Sequence, residues 1–260
     1  MTAVTVTTYN VRAAGLDDGA FAWPRRRAGV REVLRSLSPD VLALQEPTDD
    51  QRSAVADALP SLSWHGDRRG VDPGAANPVG VGDRFAVEGS TVEWLSTTPS
   101  APGSVGWDAA EPRTVTRVDL RDSDSDCALS VFATHFDHRG ERARKRSARL
   151  LRERVDALPD ERSALVVGDL NCRPGSTPYR VLTGGGFDRP LADARDRAAA
   201  VDGPETTVTD WRSLKRNSRL DYVFLTPDLP VDRYRVSDRT VDGRYPSDHL
   251  PVSVDIGLSE

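Results

Sequence analysis

The sequence predicts a single α/β domain in which strands dominate and helices occur one at a time. Two observations predict this class. Short apolar runs with strand-like alternation recur along the chain and are separated by single amphipathic helices. The 260 residues can bury one large core, and no linker, repeat or low-complexity tract divides them. We therefore expect one domain over residues 1–260, with its polar motifs at strand ends.

The first sixty residues alternate strands with helices. Alternation over residues 4–11 predicts a half-buried strand. Apolar residues at helical spacing, with Pro24 placed for a first turn, predict a helix over 23–37. Residues 41–46 predict a buried strand that carries a carboxylate at its end, and a short helix is expected at 53–59.

The rest of the chain is mostly strands. Residues 61–112 are rich in glycine and proline and predict strands, such as 85–94, joined by long loops. A helix is predicted at 141–158, because apolar residues recur there with helical period. Further strands are predicted at 114–120, 128–136, 164–167, 220–225 and 251–256.

Composition and charge exclude several classes of protein. Hydrophobic residues make up 38% and charged residues 29% of the chain, and no apolar run approaches the roughly 20 residues that span a bilayer. The start lacks a basic segment followed by an apolar one, so we expect a cytoplasmic protein or else a mature form stripped of its leader. We also expect a monomer. The net charge of −5 gives no global positive field for nucleic acid. Cys127 and Cys172 are too few for a disulfide framework or a structural zinc site.

Polar clusters follow or interrupt the apolar strands at six places where folding does not need charge. Each alone has an ordinary structural explanation, such as a turn, a cap or a surface ion pair. Their joint occurrence favours a common site. The clusters are Asn10, Glu46, His135-Phe136-Asp137-His138, Gly168-Asp169-Leu170-Asn171, Asp221 and Ser247-Asp248-His249.

The residue types in these clusters suit a hard metal ion. Mg²⁺ prefers carboxylate and amide oxygens and keeps waters for exchange with substrate. Glu46 is the best single candidate for a ligand, with Asn10 and either Asp221 or Asp248 near it.

The same clusters contain groups for hydrolytic phosphoryl transfer. Asp169 and Asn171 lie two residues apart at a strand end and are expected to point the same way. One can hold or deprotonate the attacking water while the other binds a phosphoryl oxygen. A histidine next to a carboxylate, such as His249 after Asp248, can act as acid or base, and its orienting carboxylate can also come from elsewhere.

Six stretches in one order span nearly the whole chain: Thr8-Tyr9-Asn10-Val11-Arg12, Leu44-Gln45-Glu46, Thr134-His135-Phe136-Asp137-His138, Gly168-Asp169-Leu170-Asn171, Leu220-Asp221-Tyr222-Val223-Phe224 and Ser247-Asp248-His249. The ordered set resembles the endonuclease/exonuclease/phosphatase family of DNase I-like hydrolases. It is most similar to a bacterial and archaeal branch related to nocturnin and the deadenylases. The resemblance implies a four-layer α/β/β/α sandwich and a Mg²⁺- or Mn²⁺-dependent attack of water on a phosphoester, as in a nuclease or a phosphatase.

The resemblance also implies roles for the matched residues. Metal binding falls to Glu46, with Asn10 near it and Asp248 in support of the metal or of the histidine. The implied catalytic residues are Asp169 for the water, Asn171 and His135 for the phosphate, His249 for the pentacovalent phosphorus, and Asp221 to orient a histidine. Substrate contacts are expected from Asp137, His138, Arg113 and Trp107.

Two rival functions stay open. The run His135-Phe136-Asp137-His138 shares part of the metallo-β-lactamase zinc motif, but that motif needs another histidine where this chain has Ala133. The other rival is a catalytically silent binding module on the same fold, although no motif residue is replaced. Oxygen-rich sites favour Mg²⁺ or Mn²⁺ over zinc.

Basic residues crowd the predicted helix at 141–158, and two interpretations of them stay open. They form either a patch that grips a phosphate backbone or a solvated helix face paired with neighbouring acids. Arg146 and Arg149 are the two expected nearest the histidine loop. The basic residues are Arg142, Arg144, Lys145, Arg146, Arg149, Arg152 and Arg154.

Overall fold

Two β-sheets pack face to face, and helices cover the outer face of each sheet. This arrangement is seen in a computed structural model that describes residues 3–17, 19–66 and 76–258. The order of layers is helix, sheet, sheet, helix, which confirms the predicted α/β/β/α sandwich. The part of the predicted loop region at 67–75 lies outside the described residues.

The first sheet has seven strands. In spatial order they are β10 (Ala200–Asp202), β12 (Val231–Val236), β13 (Val252–Gly257), β1 (Ala3–Asn10), β2 (Val41–Gln45), β4 (Val79–Val81) and β3 (Ser63–His65). The second sheet has six: β5 (Phe85–Trp94), β6 (Thr114–Asp122), β7 (Ala128–His135), β8 (Arg162–Asp169), β11 (Asp221–Leu225) and β9 (Ala192–Asp193).

Five α-helices connect the strands within the described ranges. They are α1 (Trp23–Leu37), α2 (Asp49–Ala58), α3 (Glu141–Asp156), α4 (Thr177–Thr183) and α5 (Ala194–Arg197). Helices α1 and α2 pack on the first sheet, and α3 and α4 pack on the second.

The apolar pattern of each strand follows from burial on both faces. In β2, Val41 and Ala43 enter the core between the sheets, whereas Leu42 and Leu44 pack under α1 and α2. Because successive side chains point to opposite faces, a strand covered on both sides is apolar throughout. This is why residues 41–44 form a continuous apolar run.

The pairing of strands fixes where the polar ends lie. β1 runs parallel to β2, and β7 runs parallel to β8, so each pair ends at the same edge of its sheet. β11 runs antiparallel to β8 with Asp221 opposite Asp169, which brings the start of β11 to that edge. β13 runs antiparallel to β1, so the loop before β13 also lies there. The register alone gathers the predicted polar clusters at one edge of the sandwich.

The structure corrects several predicted boundaries. α2 begins at Asp49 instead of residue 53, because Thr48 and Gln51 form a reciprocal capping box at its start. The second predicted strand ends at Gln45, since Glu46 adopts a left-handed backbone with φ of 58°. Elements that the sequence prediction left out are β3, β4, β9, β10, β12, α4 and α5.

No helix within residues 3–17, 19–66 and 76–258 has the length and apolar character needed to cross a bilayer.

Candidate active site

Side chains from both sheets meet at the edge where β1, β2, β7 and β8 end. Three of these residues close a strand, one opens a strand, and the others lie in the loops that follow or precede strands. Hydrogen bonds and close contacts connect them. The members of this edge cluster are Asn10, Glu46, His135, Asp169, Asn171, Asp221 and His249.

Asn10 connects the two sheets through its side-chain amide. Its Nδ2 donates to Glu46 Oε1 at 3.0 Å and to Asp169 Oδ2 at 3.1 Å, while its Oδ1 accepts the N–H of Arg12 at 3.0 Å. The amide oxygen is therefore engaged, and the amide nitrogen faces both carboxylates. In this orientation Asn10 positions Glu46 and Asp169 through its nitrogen, and its role as a metal ligand stays a prediction.

Glu46 is held ionised by the groups around it. Burial alone would raise its pKa, but the attraction of His135 and hydrogen bonds from Asn10 and the N–H of Ala13 lower the pKa to about 2. The side chain keeps 17% of its surface exposed, so it faces the open edge of the sandwich. A permanently ionised carboxylate at an open edge suits metal binding.

Asp169 lies at the centre of the cluster with 1% of its surface exposed. Its Oδ2 is 3.4 Å from His135 Nε2 and 3.6 Å from His249 Nε2, and its Oδ1 accepts the N–H of Asn171 at 2.9 Å. Burial and the negative charge of Asp221 raise the pKa of Asp169, and the two histidines lower it less than those causes raise it. A carboxylate with a raised pKa is a better proton acceptor than an ordinary one.

His135 is neutral in this environment. Burial and then the positive charge of Arg113 lower its pKa to about 4, against the opposing attraction of Asp169 and Glu46. Arg113 Nη1 lies 3.0 Å from His135 Nδ1. Since a guanidinium can only donate, Nδ1 accepts, and the ring proton is on Nε2, which faces Asp169.

His249 carries a positive charge. Burial opposes that charge, but Asp221 and Asp169 raise the pKa of His249 well above its ordinary value. Its Nδ1 donates to Asp221 Oδ2 at 2.8 Å. Asp221 is fully buried, and its backbone N–H donates to Thr207 Oγ1 at 3.2 Å. The carboxylate that orients His249 is therefore Asp221 and not the preceding residue, Asp248.

Asn171 reaches the cluster from beyond the strand end. Its Nδ2 donates to the carbonyl of Phe136 at 2.9 Å. The same Nδ2 lies 3.0 Å from His135 Nε2, which is a contact between two donors and not a hydrogen bond when that ring nitrogen carries the proton. Asn171, Glu46 and Arg12 all have left-handed backbones, with φ of 46°, 58° and 55°. Such conformations are uncommon outside glycine and concentrate at functional sites. The convergence of Asp169 with Asn171 thus depends on this turn and not on strand alternation.

Asp248 lies at the rim of the cluster. Its Oδ2 is 3.6 Å from Arg12 Nη1, and its Oδ1 lies 3.4 Å from Ser247 Oγ. Ser247 Oγ donates to the carbonyl of Asn10 at 2.7 Å, which holds the loop before β13 against β1. Asp248 therefore contacts the guanidinium of Arg12, and its support of a metal or of His249 stays a prediction.

Of the predicted substrate contacts, Arg113 and Asp137 are buried, whereas His138 is exposed. Arg113 is buried between His135 and His138, with Nη2 3.2 Å from His138 Nδ1, and His138 is exposed. Asp137 is buried, and its oxygens accept the N–H groups of Gly140 at 2.6 Å and Ala110 at 3.1 Å. Burial alone would raise the pKa of Asp137, but the backbone hydrogen bonds and the charge of Arg113 outweigh burial and lower it, so that Asp137 stays ionised. Asp137 therefore holds the loop, which corrects its predicted substrate contact.

The zinc interpretation of the run from His135 to His138 has no geometric support. Asp137 is engaged with backbone N–H groups, and His138 contacts Arg113. Within the described part of the chain, the one group of three potential metal ligands is Asp169, Asp221 and His249, whose ligand atoms lie within 4.8 Å of one another.

Trp107 lies in a loop beside α3 and is half-buried, with a left-handed backbone at φ of 55°. The next residue, Asp108, accepts the N–H of Ala143 at 2.6 Å and so caps the start of α3. Among the described residues no other aromatic ring stacks on that of Trp107, and its role as a substrate contact stays a prediction.

Sequence reasoning missed two residues that shape the cluster. Thr207 Oγ1 accepts the N–H groups of Leu220 and Asp221 and so fixes the start of β11. Arg12 places a half-exposed guanidinium at the rim, paired with Asp17 at 3.0 Å. Arg12 belongs to the first matched stretch, so it could have been identified from the sequence. Thr207 lies in no motif, and nothing in the sequence marks it as part of the site.

The chemistry of the cluster fits a divalent cation. Three carboxylates, Glu46, Asp169 and Asp221, converge there beside the charged imidazole of His249. Asp221 Oδ1 is buried without a hydrogen-bond partner among the described residues. A buried carboxylate oxygen without a hydrogen bond is compensated by a cation.

Comparisons with known proteins identify the family and the fold of the chain. The family model described as "Endonuclease/Exonuclease/phosphatase family" matches residues 7–249. A Bacteroides vulgatus structure of that name is 28% identical with a TM-score of 0.92 over 100% of both chains. A mannosyl-6-phosphatase from Bacteroides thetaiotaomicron is 27% identical with a TM-score of 0.87, covering 98% of this chain and 100% of the other.

A more distant structure shares the fold. The human Nocturnin catalytic domain with bound sulfate is 20% identical with a TM-score of 0.75, covering 98% of this chain and 94% of that domain. Among curated proteins no sequence matches the chain. The family model spans most of the chain, including every residue of the edge cluster, and the chain belongs to the endonuclease/exonuclease/phosphatase family.

Proposed function

We propose that the protein is a Mg²⁺- or Mn²⁺-dependent hydrolase that directs water onto a phosphodiester or phosphomonoester. Membership of the family supports phosphoester hydrolysis in general. One observation carries the proposal: the buried carboxylate of Asp169 lies between a neutral His135 and a charged His249, within 3.6 Å of both rings. In this arrangement Asp169 is the proton acceptor and His249 is the proton donor at the same edge of the sandwich.

Glu46 would hold the cation, with Asp248 or Asp221 near it. When bound, the ion supplies charge stabilisation for a phosphoryl oxygen. The lowered pKa of Glu46 supports this assignment, because the carboxylate is ionised at any pH at which the protein works. Asn10 would fix the position of Glu46 through its 3.0 Å hydrogen bond.

Asp169 would orient the attacking water and accept its proton. The raised pKa of Asp169 brings its basicity closer to that of an effective general base. Asn10 and His135 hold Oδ2 from two sides, so the carboxylate cannot rotate freely. Preorganisation of this kind avoids rearrangement during the reaction.

His249 would donate to the negative charge that develops on the phosphoryl oxygens. Its positive charge, maintained by Asp221, makes it a strong donor. Asn171 and His135 would contact the same phosphoryl group from the opposite side. Arg12 and the exposed His138 would contact the rest of the substrate, and Arg113, buried between His135 and His138, would position both rings.

The net charge of the chain and its similarity to a solved phosphatase structure support a proposal for the substrate class. A mannosyl-6-phosphatase is among the similar structures, which supports a small phosphate ester as one substrate class. The net charge of −5 opposes tight binding of a long duplex. We therefore propose a small or single-stranded phosphoester, hydrolysed by a cytoplasmic monomer.

We expect Asp169→Asn and His249→Gln each to lower kcat by at least about 1,000-fold on a generic phosphodiester, because each removes a proton acceptor or donor. The measurement is release of p-nitrophenol from bis(p-nitrophenyl) phosphate with Mg²⁺ or Mn²⁺. His65→Gln, a half-buried histidine in β3, is the matched control and should retain activity. Unchanged turnover in both site variants would remove the assigned site and support a silent binding module.

We expect chelation by EDTA to abolish activity and added Mg²⁺ or Mn²⁺ to restore it. Glu46→Gln should raise the metal concentration for half-maximal activity by at least about 10-fold, because it removes the ionised ligand. Glu161 is exposed and precedes the first residue of β8, at the end of the strand away from the edge cluster. Glu161→Gln is therefore the control and should leave the metal requirement unchanged. An equal metal requirement in Glu46→Gln and the wild type would contradict the assignment of Glu46.

Asp221→Asn should lower the pKa of His249 and move the alkaline limb of the pH–rate profile to lower pH. Because the pKa of His249 is raised in the folded protein, the ion pair stabilises the fold fully below the ordinary histidine pKa of 6.5. That contribution disappears as pH rises through the folded pKa. The difference in unfolding free energy between wild type and Asp221→Asn should therefore be largest just below pH 6.5. It should become smaller as the pH rises through the pKa of His249 in the folded protein. A pH-independent difference would contradict the ion pair.

A further inference from the structure

Arg26 on α1 is a buried arginine whose guanidinium donates to four backbone carbonyls. Nε donates to Phe21, Nη1 donates to both Val11 and Pro246 at 2.9 Å, and Nη2 donates to Arg12 at 2.9 Å. These bonds engage four of the five N–H groups that a guanidinium carries. Arg26 therefore connects three separate segments of the chain to α1.

The charge of Arg26 has no ion-pair partner among the residues that the structure describes. Aromatic rings cover the guanidinium instead. Its central carbon lies 5.6 Å from the ring centroid of Trp23 and 5.1 Å from that of Trp211. A buried cation is unfavourable unless polar groups and ring faces compensate its charge. The charge therefore requires the four carbonyls, and the segments that carry them are held around one point.

Two of the three segments carry residues of the edge cluster. Val11 and Arg12 follow Asn10, the last residue of β1, and Pro246 lies three residues before His249. Because Nη1 of Arg26 donates to the carbonyls of both Val11 and Pro246, one nitrogen sets the separation between these carbonyls. The end of β1 and the loop before β13 are thereby fixed to each other.

The carbonyl of Arg12 accepts hydrogen bonds from two buried side chains. Gln51 Nε2 donates to it at 2.8 Å and Arg26 Nη2 donates to it at 2.9 Å. Arg12 has a left-handed backbone with φ of 55°, which a residue other than glycine keeps only where its surroundings impose it. Arg26 and Gln51 therefore stabilise the turn that follows β1.

This turn presents two backbone N–H groups to the edge cluster. The N–H of Arg12 donates to Asn10 Oδ1 at 3.0 Å, and the N–H of Ala13 donates to Glu46 Oε2 at 3.1 Å. The same two side chains are joined by the hydrogen bond from Asn10 Nδ2 to Glu46 Oε1. A change in the turn would therefore move the carboxylate of Glu46 and the amide of Asn10 together.

The segment that carries Trp211 supports the other side of the cluster. Thr209 Oγ1 accepts the N–H of Trp211 at 3.1 Å and donates to the carbonyl of Ser247 at 3.1 Å. The N–H of Thr209 donates to the carbonyl of Asp248 at 2.7 Å. The ring over the guanidinium and the loop before β13 therefore belong to one hydrogen-bonded unit.

We propose that Arg26 is a positioning residue of the active site. It aligns the side of the edge cluster that contains Asn10 and Glu46 with the side that contains His249. The inference rests on the proposed function for the reaction that this alignment serves. Arg26 acts through protein carbonyls and not through contact with substrate. A displacement of about 1 Å at a catalytic group lowers turnover by on the order of 100-fold.

Arg26→Lys in the full chain tests the inference. Lysine keeps the positive charge, but its single ammonium cannot reach all the carbonyls that the fork of a guanidinium spans. On bis(p-nitrophenyl) phosphate with Mg²⁺ or Mn²⁺, kcat should fall about 10- to 100-fold while KM stays within about two-fold of the wild-type value. This split is expected because the substitution disturbs alignment and removes no group that binds the substrate.

Arg152→Lys is the matched control. Arg152 on α3 is also fully buried, donates to the carbonyls of Leu182 and Arg189, and lies 4.6 Å from the ring centroid of Phe187. None of these partners belongs to the edge cluster, so Arg152→Lys should lower the thermal unfolding temperature and leave kcat unchanged. A folded Arg26→Lys with wild-type kcat, or an equal loss of kcat in both variants, would overturn the inference.

Trp211→Leu is a second variant, which decides the question if Arg26→Lys does not fold. It keeps Arg26 and removes the ring that lies over the guanidinium. Because Trp211 is only half-buried, the fold should tolerate the change. At unchanged KM, kcat should fall at least about 3-fold. Wild-type kcat in Trp211→Leu, with Arg26→Lys unfolded, would overturn the inference.

Hydrogen exchange of backbone amides separates this inference from the proposed function. In the metal-free protein, Arg26→Lys should accelerate exchange of the N–H groups of Ala13 and His249 by at least about 10-fold, and Arg152→Lys should accelerate neither. Unchanged exchange at either amide in Arg26→Lys would overturn the inference. If the wild type hydrolysed no phosphoester with Mg²⁺ or Mn²⁺, the proposed function would fail, and the exchange rates would still decide whether Arg26 holds both loops.

Discussion

The site depends on one buried carboxylate, that of Asp169, which cannot be accommodated without partners from both sheets. An isolated ionised group at this depth is strongly unfavourable. Asn10 from the first sheet, His135 from the end of β7 and His249 from the loop before β13 supply those partners within 3.6 Å. The chemistry at the edge therefore depends on the packing of the two sheets. A shift of one sheet against the other would separate Asp169 from Asn10 and His249.

The two histidines beside Asp169 have opposite charge states because their other neighbours differ. His135 faces Arg113, so a second positive charge there is unfavourable. His249 faces Asp221, and opposite charges about 4 Å apart attract by roughly 4 kcal/mol at an effective dielectric constant of about 20. Burial is the largest single influence and opposes the charge of His249, but the attraction and hydrogen bond of Asp221 together with the attraction of Asp169 outweigh it and raise the pKa of His249. One carboxylate thus has a neutral ring on one side and a charged ring on the other.

Local pattern predicted a single α/β domain with polar groups at its strand ends, and the resemblance to a known family supplied the four-layer sandwich. Apolar runs that end in polar residues gave the strand ends, and parallel pairing brought those ends to one edge. The orientation of individual groups was not predictable. The amide of Asn10 presents its nitrogen because Arg12 occupies its oxygen, and Asp137 holds a loop because Ala110 and Gly140 present N–H groups to it. Such details depend on residues distant in sequence.

Nitrogen NMR of the four histidines in the metal-free protein tests the account most directly. At neutral pH the ring of His249 should carry protons on both nitrogens and release one only well above pH 6.5. The ring of His135 should carry a single proton, on Nε2, and remain neutral until the pH falls to about 4. Titration of His249 at or below 6.5, or a charged His135 at neutral pH, would contradict the arrangement on which the proposed chemistry rests.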